Sequence, residues 1–166
     1  MKKFVIMFAG VPGSSKTPIA HHLGWNLGLP IFNNDTLRTE LAEDNGEVAL
    51  DKYEALRDAR LEQLLSLNRS FIYDASVDRQ WHRAKEWLDE HDYEYYVINM
   101  DLDRSFIEKI YKAKGYTQLD KLDGWFDDHT KFNDSHSDIV NLRITTKDFL
   151  DRLNISLGAV KDWIHS

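Results

Sequence analysis

The densest chemistry in the chain lies in eight consecutive residues: Gly10, Val11, Pro12, Gly13, Ser14, Ser15, Lys16 and Thr17. They follow a short apolar run, Phe4 to Ala9, and lead into a helical pattern through Ile19 and Leu23. Apolar strand, glycine-rich turn, lysine plus hydroxyl residue, then helix is an arrangement that cradles phosphate. The turn aims backbone N–H groups inward, and the helix N-terminus adds partial positive charge. Lys16 supplies a mobile cation for outer phosphates and Thr17 a hydroxyl for magnesium. One position departs from the pattern G-x-x-x-x-G-K-[ST]: Ser15 stands where the second glycine would be. Glycine there lets the backbone approach a phosphate without a Cβ. A serine costs little if its φ is negative, and of order 1–3 kcal/mol if φ is positive. We expect a working loop of altered affinity.

The elements that must hold this loop alternate in type. Residues 3–9 read as a strand buried on both faces, because the apolar run does not alternate. Residues 15–27 read as a helix with Pro18 in its first turn, where a missing N–H is tolerated, and Gly28 as its stop. Pro30 to Asn33 reads as a second strand, after which Asn34 or Asp35 caps a helix through Leu37 and Leu41. Val48 to Leu67 reads as a longer helix. Phe71 to Tyr73 reads as a third strand ending at Asp74, followed by an amphipathic helix from Asp78 to His91. Tyr95 to Met100 reads as a fourth strand and Arg104 to Ala113 as a helix. From Gly115 to Ser137 periodicity is weak, which predicts a mobile connection with one short helix around Leu122–Phe132. Ile139 to Ile144 reads as a fifth strand, with a last helix starting near Thr146. Strands alternating with helices predict an α/β domain with a parallel sheet and right-handed crossovers. Ligands bind such sheets at the C-terminal ends of the strands, where the phosphate loop, Asp35 and Asp74 are all expected.

Composition narrows the partners. A length of 166 residues suits one domain, and 42% hydrophobic with 30% charged residues is ordinary for a globular chain. The formal net charge of −7 disfavours nucleic acid, whose binding needs surplus lysine and arginine. With no cysteine, disulfides, thiolate metal sites and cysteine nucleophiles are excluded, which fits a reducing cytoplasm. No stretch approaches the roughly 20 apolar residues of a membrane span. The start of the chain reads as strand rather than as a secretory leader, because the phosphate-loop pattern begins at once.

The chain resembles the small P-loop kinases of the nucleoside-monophosphate-kinase type. It looks closest to the zeta-toxin-like, chloramphenicol-phosphotransferase-like and polynucleotide-kinase-like branch. Four groups carry the resemblance: residues 10–17, the segment Asn34 to Arg38, the strand ending at Asp74 with Ala75 and Ser76, and the late strand from Ser137 to Ile144. The resemblance implies a three-layer P-loop fold, with a five-stranded parallel sheet of order 2-3-1-4-5 and a lid after the fourth strand, at about residues 114–137. It implies transfer of the ATP γ-phosphoryl group to a hydroxyl of a small-molecule or nucleotide-like acceptor, with Asp35 as the acceptor-side base and Arg38 as an acceptor anchor.

On this reading, the loop residues 10–17 bind ATP and Lys16 takes part in catalysis. Asp35 can also cap its helix, since both roles place it at the strand edge. Thr17 and Asp74 would hold Mg2+, which needs only one or two protein oxygens. Positive charge for the transferring group falls to Arg104, Lys109, Lys112 and Lys114, lysines where such lids carry arginines. Arg57 and Arg60 read as surface residues bridged to neighbouring acids. His129 and His136 lack metal-ligand spacing and read as polar lid residues. The tryptophans read mostly as core, with Trp125 in the lid. Two alternatives remain: a nucleotide-binding regulatory module with a degenerate loop, and a polynucleotide 5′-hydroxyl kinase.

Overall fold

The computed structural model describes residues 3–46 and 49–166. Five strands, β1 (Phe4–Ala9), β2 (Ile31–Asn33), β3 (Phe71–Ser76), β4 (Glu94–Asp101) and β5 (Val140–Thr145), form one sheet. Its order is β2-β3-β1-β4-β5 and every pairing is parallel. Seven helices flank it: α1 (Lys16–Leu27), α2 (Asn34–Asn45), α3 (Leu50–Ser66), α4 (Trp81–Glu90), α5 (Arg104–Lys114), α6 (Leu122–His136) and α7 (Arg152–Ile164). The expected order and parallel sense are both present. Val48, the expected start of the third helix, lies outside the described residues.

β1 shows why its apolar run cannot alternate. Val5, Met7 and Ala9 pack into one core with Leu65 of α3 and Leu88 of α4. Ile6 and Phe8 pack into the other with Ile19 and Leu23 of α1, Ile107 of α5 and Val160 of α7. A strand covered on both faces by helices must be apolar at every position.

The local expectations need four corrections. Asn33 caps α2, its side chain accepting from the N–H groups of Asp35 and Thr36, so neither Asn34 nor Asp35 is the cap. α4 starts at Trp81, three residues after Asp78, because the Asp78 carboxylate turns to the phosphate loop. α7 starts at Arg152, preceded by a 3₁₀ turn at Phe149–Asp151; Asp148 first accepts from Thr145 N–H and Oγ–H, closing a turn that delays the helix. The connection after α5 is mostly ordered helix: a 3₁₀ turn at Leu119–Lys121 leads into the fifteen-residue α6.

α6 changes layers along its length. Leu122 packs with the α1, α5 and α7 side, whereas Phe132 packs with the α3 and α4 side. α6 therefore passes across the C-terminal edge of the sheet, beside the phosphate loop.

Candidate active site

The turn after β1 is shaped by two glycines in tight quarters. Gly10 has φ +127°, and a Cβ there would lie 2.9 Å from both the Cβ and the carbonyl oxygen of Met100 at the end of β4. Gly13 has φ +75°, and a Cβ there would lie 2.6 Å from the Tyr111 ring on α5. Tyr111 also donates its hydroxyl to Pro12 O at 2.6 Å. The loop thus sits between the end of β4 and the side of α5.

Ser15 answers the question its sequence raised. Its φ is 74° and ψ 36°, the left-handed conformation that glycine would adopt freely. The loop keeps a glycine-type backbone at the cost of a strained serine, of order 1–3 kcal/mol. Its hydroxyl accepts from Arg152 Nη2 at 3.1 Å, fixing the side chain on the α7 side. No side chain caps α1, so its first N–H groups stay free of side-chain acceptors.

Lys16 reaches back over the loop, donating to Gly10 O at 2.7 Å, Val11 O at 2.8 Å and Ser14 Oγ at 3.2 Å. Burial lowers its pKa from 10.5 to about 8, against the attraction of Asp78 and Asp74. Asp74, the fourth residue of β3, accepts from Asn33 Nδ2 at 2.5 Å and from the Thr17 hydroxyl. Burial raises its pKa despite these bonds. A hydroxyl and a carboxylate facing one another fit a magnesium ion, which takes oxygen ligands and keeps most of its shell as water and phosphate.

Asp35, in the first turn of α2, is 84% exposed and pairs with Arg38 at 3.3 Å. The Arg38 guanidinium lies 4.8 Å from the centre of the Tyr53 ring of α3. One cleft of 590 Å³ is lined by the loop and by Thr17, Asp35, Arg38 and Asp74 together. Trp125, Tyr116 and Lys114 line its other side. Arg104, Lys109 and Lys112 are not among its walls. Arg104 is instead held by Glu108 and Asp123.

Several residues of this region carry no sequence signal as site residues. Asp78 accepts from Gly10 N–H at 2.9 Å and from the Ser76 hydroxyl at 2.7 Å, and Ser76 Oγ also lies 3.1 Å from Gly10 O. His129 of α6 donates Nδ1–H to Asp78 Oδ2 at 2.7 Å, since an ionised carboxylate can only accept. Burial opposes ionisation of Asp78, but the His129, Ser76 and Gly10 donors hold its pKa below the usual carboxylate range. His129 is 4% exposed, so it is a core residue rather than a polar lid residue. Among the described residues no cluster of three or more His, Asp or Glu could hold a metal ion.

Arg57 also departs from the surface reading. It is 8% exposed, donates Nε–H to Asp58 and lies over the Tyr53 ring. Arg60 keeps the bland role, 3.8 Å from Glu40 of α2. Trp25 is not core but 89% exposed.

With this geometry in place, the chain can be set beside known proteins. It matches no protein-family model and no curated protein in sequence. Solved structures match it over nearly its whole length. A gluconokinase from Sinorhizobium meliloti 1021 superposes with a TM-score of 0.68 at 13% identity, covering 96% of this chain and 93% of its own. A shikimate kinase from Bacteroides thetaiotaomicron gives 0.61 at 11% identity, over 98% and 99%. The APS kinase of Mycobacterium tuberculosis, solved with AMPPNP and APS, gives 0.58 at 15% identity, over 96% and 98%. The fold is that of the small P-loop kinases. In the P-loop kinase fold the phosphate loop lies between the first strand and the first helix, the place that Gly10 to Ser15 take here, with Lys16 and Thr17 opening α1. Among the described residues no helix is long and apolar enough to cross a membrane.

Proposed function

We propose that the protein is an ATP-dependent phosphotransferase that moves the γ-phosphoryl group to a hydroxyl of a small-molecule or nucleotide-like acceptor. The observation that carries this reading is the shared cleft: the phosphate loop, the Thr17–Asp74 pair and the Asp35–Arg38 pair line one space of 590 Å³. A phosphate-binding loop alone would mean nucleotide binding. A carboxylate and a guanidinium across the same cleft provide an acceptor side. The left-handed Ser15 favours this reading over a degenerate, purely regulatory loop, because the backbone keeps the shape that presents its N–H groups.

Lys16 and the loop amides hold the β- and γ-phosphates and offset charge on the transferring group. Bound at Thr17 and Asp74, magnesium would neutralise phosphate charge and orient the chain. Asp35 accepts the acceptor's hydroxyl proton as the oxygen bonds to the γ-phosphorus and the bond from that phosphorus to the β–γ bridging oxygen breaks, releasing ADP. Arg38 anchors the acceptor beside Asp35. Residues 114–137, which contribute Lys114, Tyr116, Trp125 and Asp128 to the cleft walls, act as the lid that excludes water.

Two measurements test this. A thermal melt with saturating Mg-ATP, at about 100 Kd, should raise Tm by roughly 5–10 °C; no shift at millimolar nucleotide ends the reading. An acceptor screen that follows ADP release then identifies turnover. Asp35→Asn should retain Mg-ATP binding and lose about 10²–10⁴ in kcat, whereas full activity in that variant removes Asp35 as the base.

A further inference from the structure

Seven of the chain's arginines, including Arg38, Arg57 and Arg104, lie within 4 Å of a carboxylate. This is expected of a protein with a net charge of −7. Arg69 is an exposed residue between α3 and β3. Arg152, at the start of α7, is different: it is half-buried and has no carboxylate partner among the described residues. Its Nη1 donates to Phe149 O at 2.6 Å, its guanidinium stacks 4.0 Å from the Phe149 ring centre, and its Nη2 donates to Ser15 Oγ. Its Nε is buried without any hydrogen-bond partner.

A partly desolvated guanidinium without an anion is costly. Burial alone lowers the Arg152 pKa, and Arg152 in turn helps lower that of Lys114. Lys114 reaches the opposite rim of the same loop, 3.4 Å from Gly13 O. Three cations, Lys16, Lys114 and Arg152, therefore reach one turn; Asp78 and Asp74 face Lys16, whereas among the described residues no carboxylate faces Arg152.

Arg152 is not among the walls of the 590 Å³ cleft but touches the loop through Ser15, which is; we propose that Arg152 is a nucleotide-binding residue of this chain, presented to the phosphate chain at the outer lip of the loop by the Ser15 hydroxyl. The serine that breaks the glycine pattern is then one half of an affinity device. Its strained backbone preserves the loop, and its side chain holds a cation that a glycine could not hold. The bound polyphosphate supplies the anion that Arg152 lacks. The inference rests on the nucleotide-binding reading above.

The test is isothermal titration of Mg-ADP, Mg-ATP and adenosine into the wild type, Arg152→Gln, Ser15→Ala and the double variant. Ser15→Ala keeps the Cβ and removes only the hydroxyl. Arg152→Gln should weaken both nucleotides by roughly 10- to 100-fold and leave adenosine unchanged. Its slope of log Kd against log salt should be shallower than that of the wild type. Ser15→Ala should weaken the nucleotides several-fold in the wild type and not at all in the Arg152→Gln background. A purely structural Arg152 would lower Tm without separating nucleotides from adenosine, and that outcome overturns the proposal. So does nucleotide affinity within twofold of wild type in Arg152→Gln. If Arg152→Gln fails to fold, Arg152→Lys serves: it keeps the charge but cannot reach Ser15 and Phe149 O together, so an unchanged affinity and salt slope with an unchanged response to Ser15→Ala would overturn the pairing. Absence of nucleotide binding to the wild type would instead bring down the functional reading itself.

Discussion

Asn33 donates Nδ2–H to the Asp74 carboxylate at 2.5 Å while its Oδ1 accepts from the N–H groups of Asp35 and Thr36. One side chain thus joins β3 to the start of α2, and with them two of the cleft's carboxylates, Asp74 and Asp35. Asn33→Ala removes a helix cap, about 1 kcal/mol, and a bond to a buried carboxylate, about 1.5–3 kcal/mol. Tm should fall by roughly 5–15 °C. Asn33→Ser keeps a capping oxygen and should recover the cap's share. Equal losses in the two variants, read by thermal melts, would show that the cap contributes nothing here.

Gly10 and Gly124 make opposite predictions from the same substitution. Gly10→Ala places a Cβ 2.9 Å from the Met100 backbone at φ +127°. Strain and overpacking together should cost about 2–5 kcal/mol. Gly124 is helical, and a methyl group added there would meet nothing within 4 Å. Gly124→Ala should stabilise by about 0.5–1 kcal/mol through helix propensity. Urea unfolding of both variants checks the pair.

His129→Ala removes a buried ring and leaves Asp78 with fewer donors. The expected loss is about 2–4 kcal/mol, from the cavity and the broken bond to a charged partner. The pH dependence has a definite sign. The folded pKa of Asp78 lies below its ordinary 3.8, so its bonds contribute stability above about pH 4 that is lost as pH falls through the folded value. The stability gap between wild type and His129→Ala should therefore narrow below pH 4. A gap that widens in acid would contradict the pairing.

The strands and the loop were legible in the sequence because both depend on local signals, whereas the strand order came from the family resemblance. β1 is an unbroken apolar run, β3 opens on Phe71, Ile72 and Tyr73, and the loop's residues are contiguous. What escaped depends on contacts distant in sequence. α6 buries Leu122, His129 and Phe132. That spacing is helical, but one of its core positions is a histidine, whose burial is tolerable only because Asp78, 51 residues away, accepts its N–H. Asp78 itself sits just before an amphipathic helix and looks like a cap; its real acceptor duty is to Gly10, on another strand's turn. Arg57 lies among acids at helical spacing, which suggests solvent, yet Tyr53 and the adjoining core cover it. Arg152 meets Ser15 across 137 residues, and no periodicity announces such a pair.

Lys16 gives two pH effects of opposite sign. In the free protein its pKa is about 8 rather than 10.5, because burial disfavours the charged form. The unfolded chain therefore binds more protons than the folded one between about pH 8 and 10.5. Stability must rise with pH across that window, by about 1–3 kcal/mol, since the folded state no longer carries a buried charge. Nucleotide affinity must do the reverse. Phosphate favours the ammonium form, so above pH 8 each unit should cost about tenfold in affinity until the pKa of the complex is reached. Titrations at pH 8–9 should also show proton uptake on binding, as a heat that depends on the buffer's ionisation enthalpy. Lys16→Met should abolish the proton uptake, flatten the pH dependence of affinity and remove Lys16's share of the alkaline rise in stability. If wild-type affinity is level from pH 7 to 9.5, linkage requires that no proton is taken up on binding, and either Lys16 does not meet the phosphates or its ammonium is not destabilised by burial; the alkaline rise in stability of the free protein, present in the wild type and reduced in Lys16→Met, separates these, because only a lowered free pKa produces it.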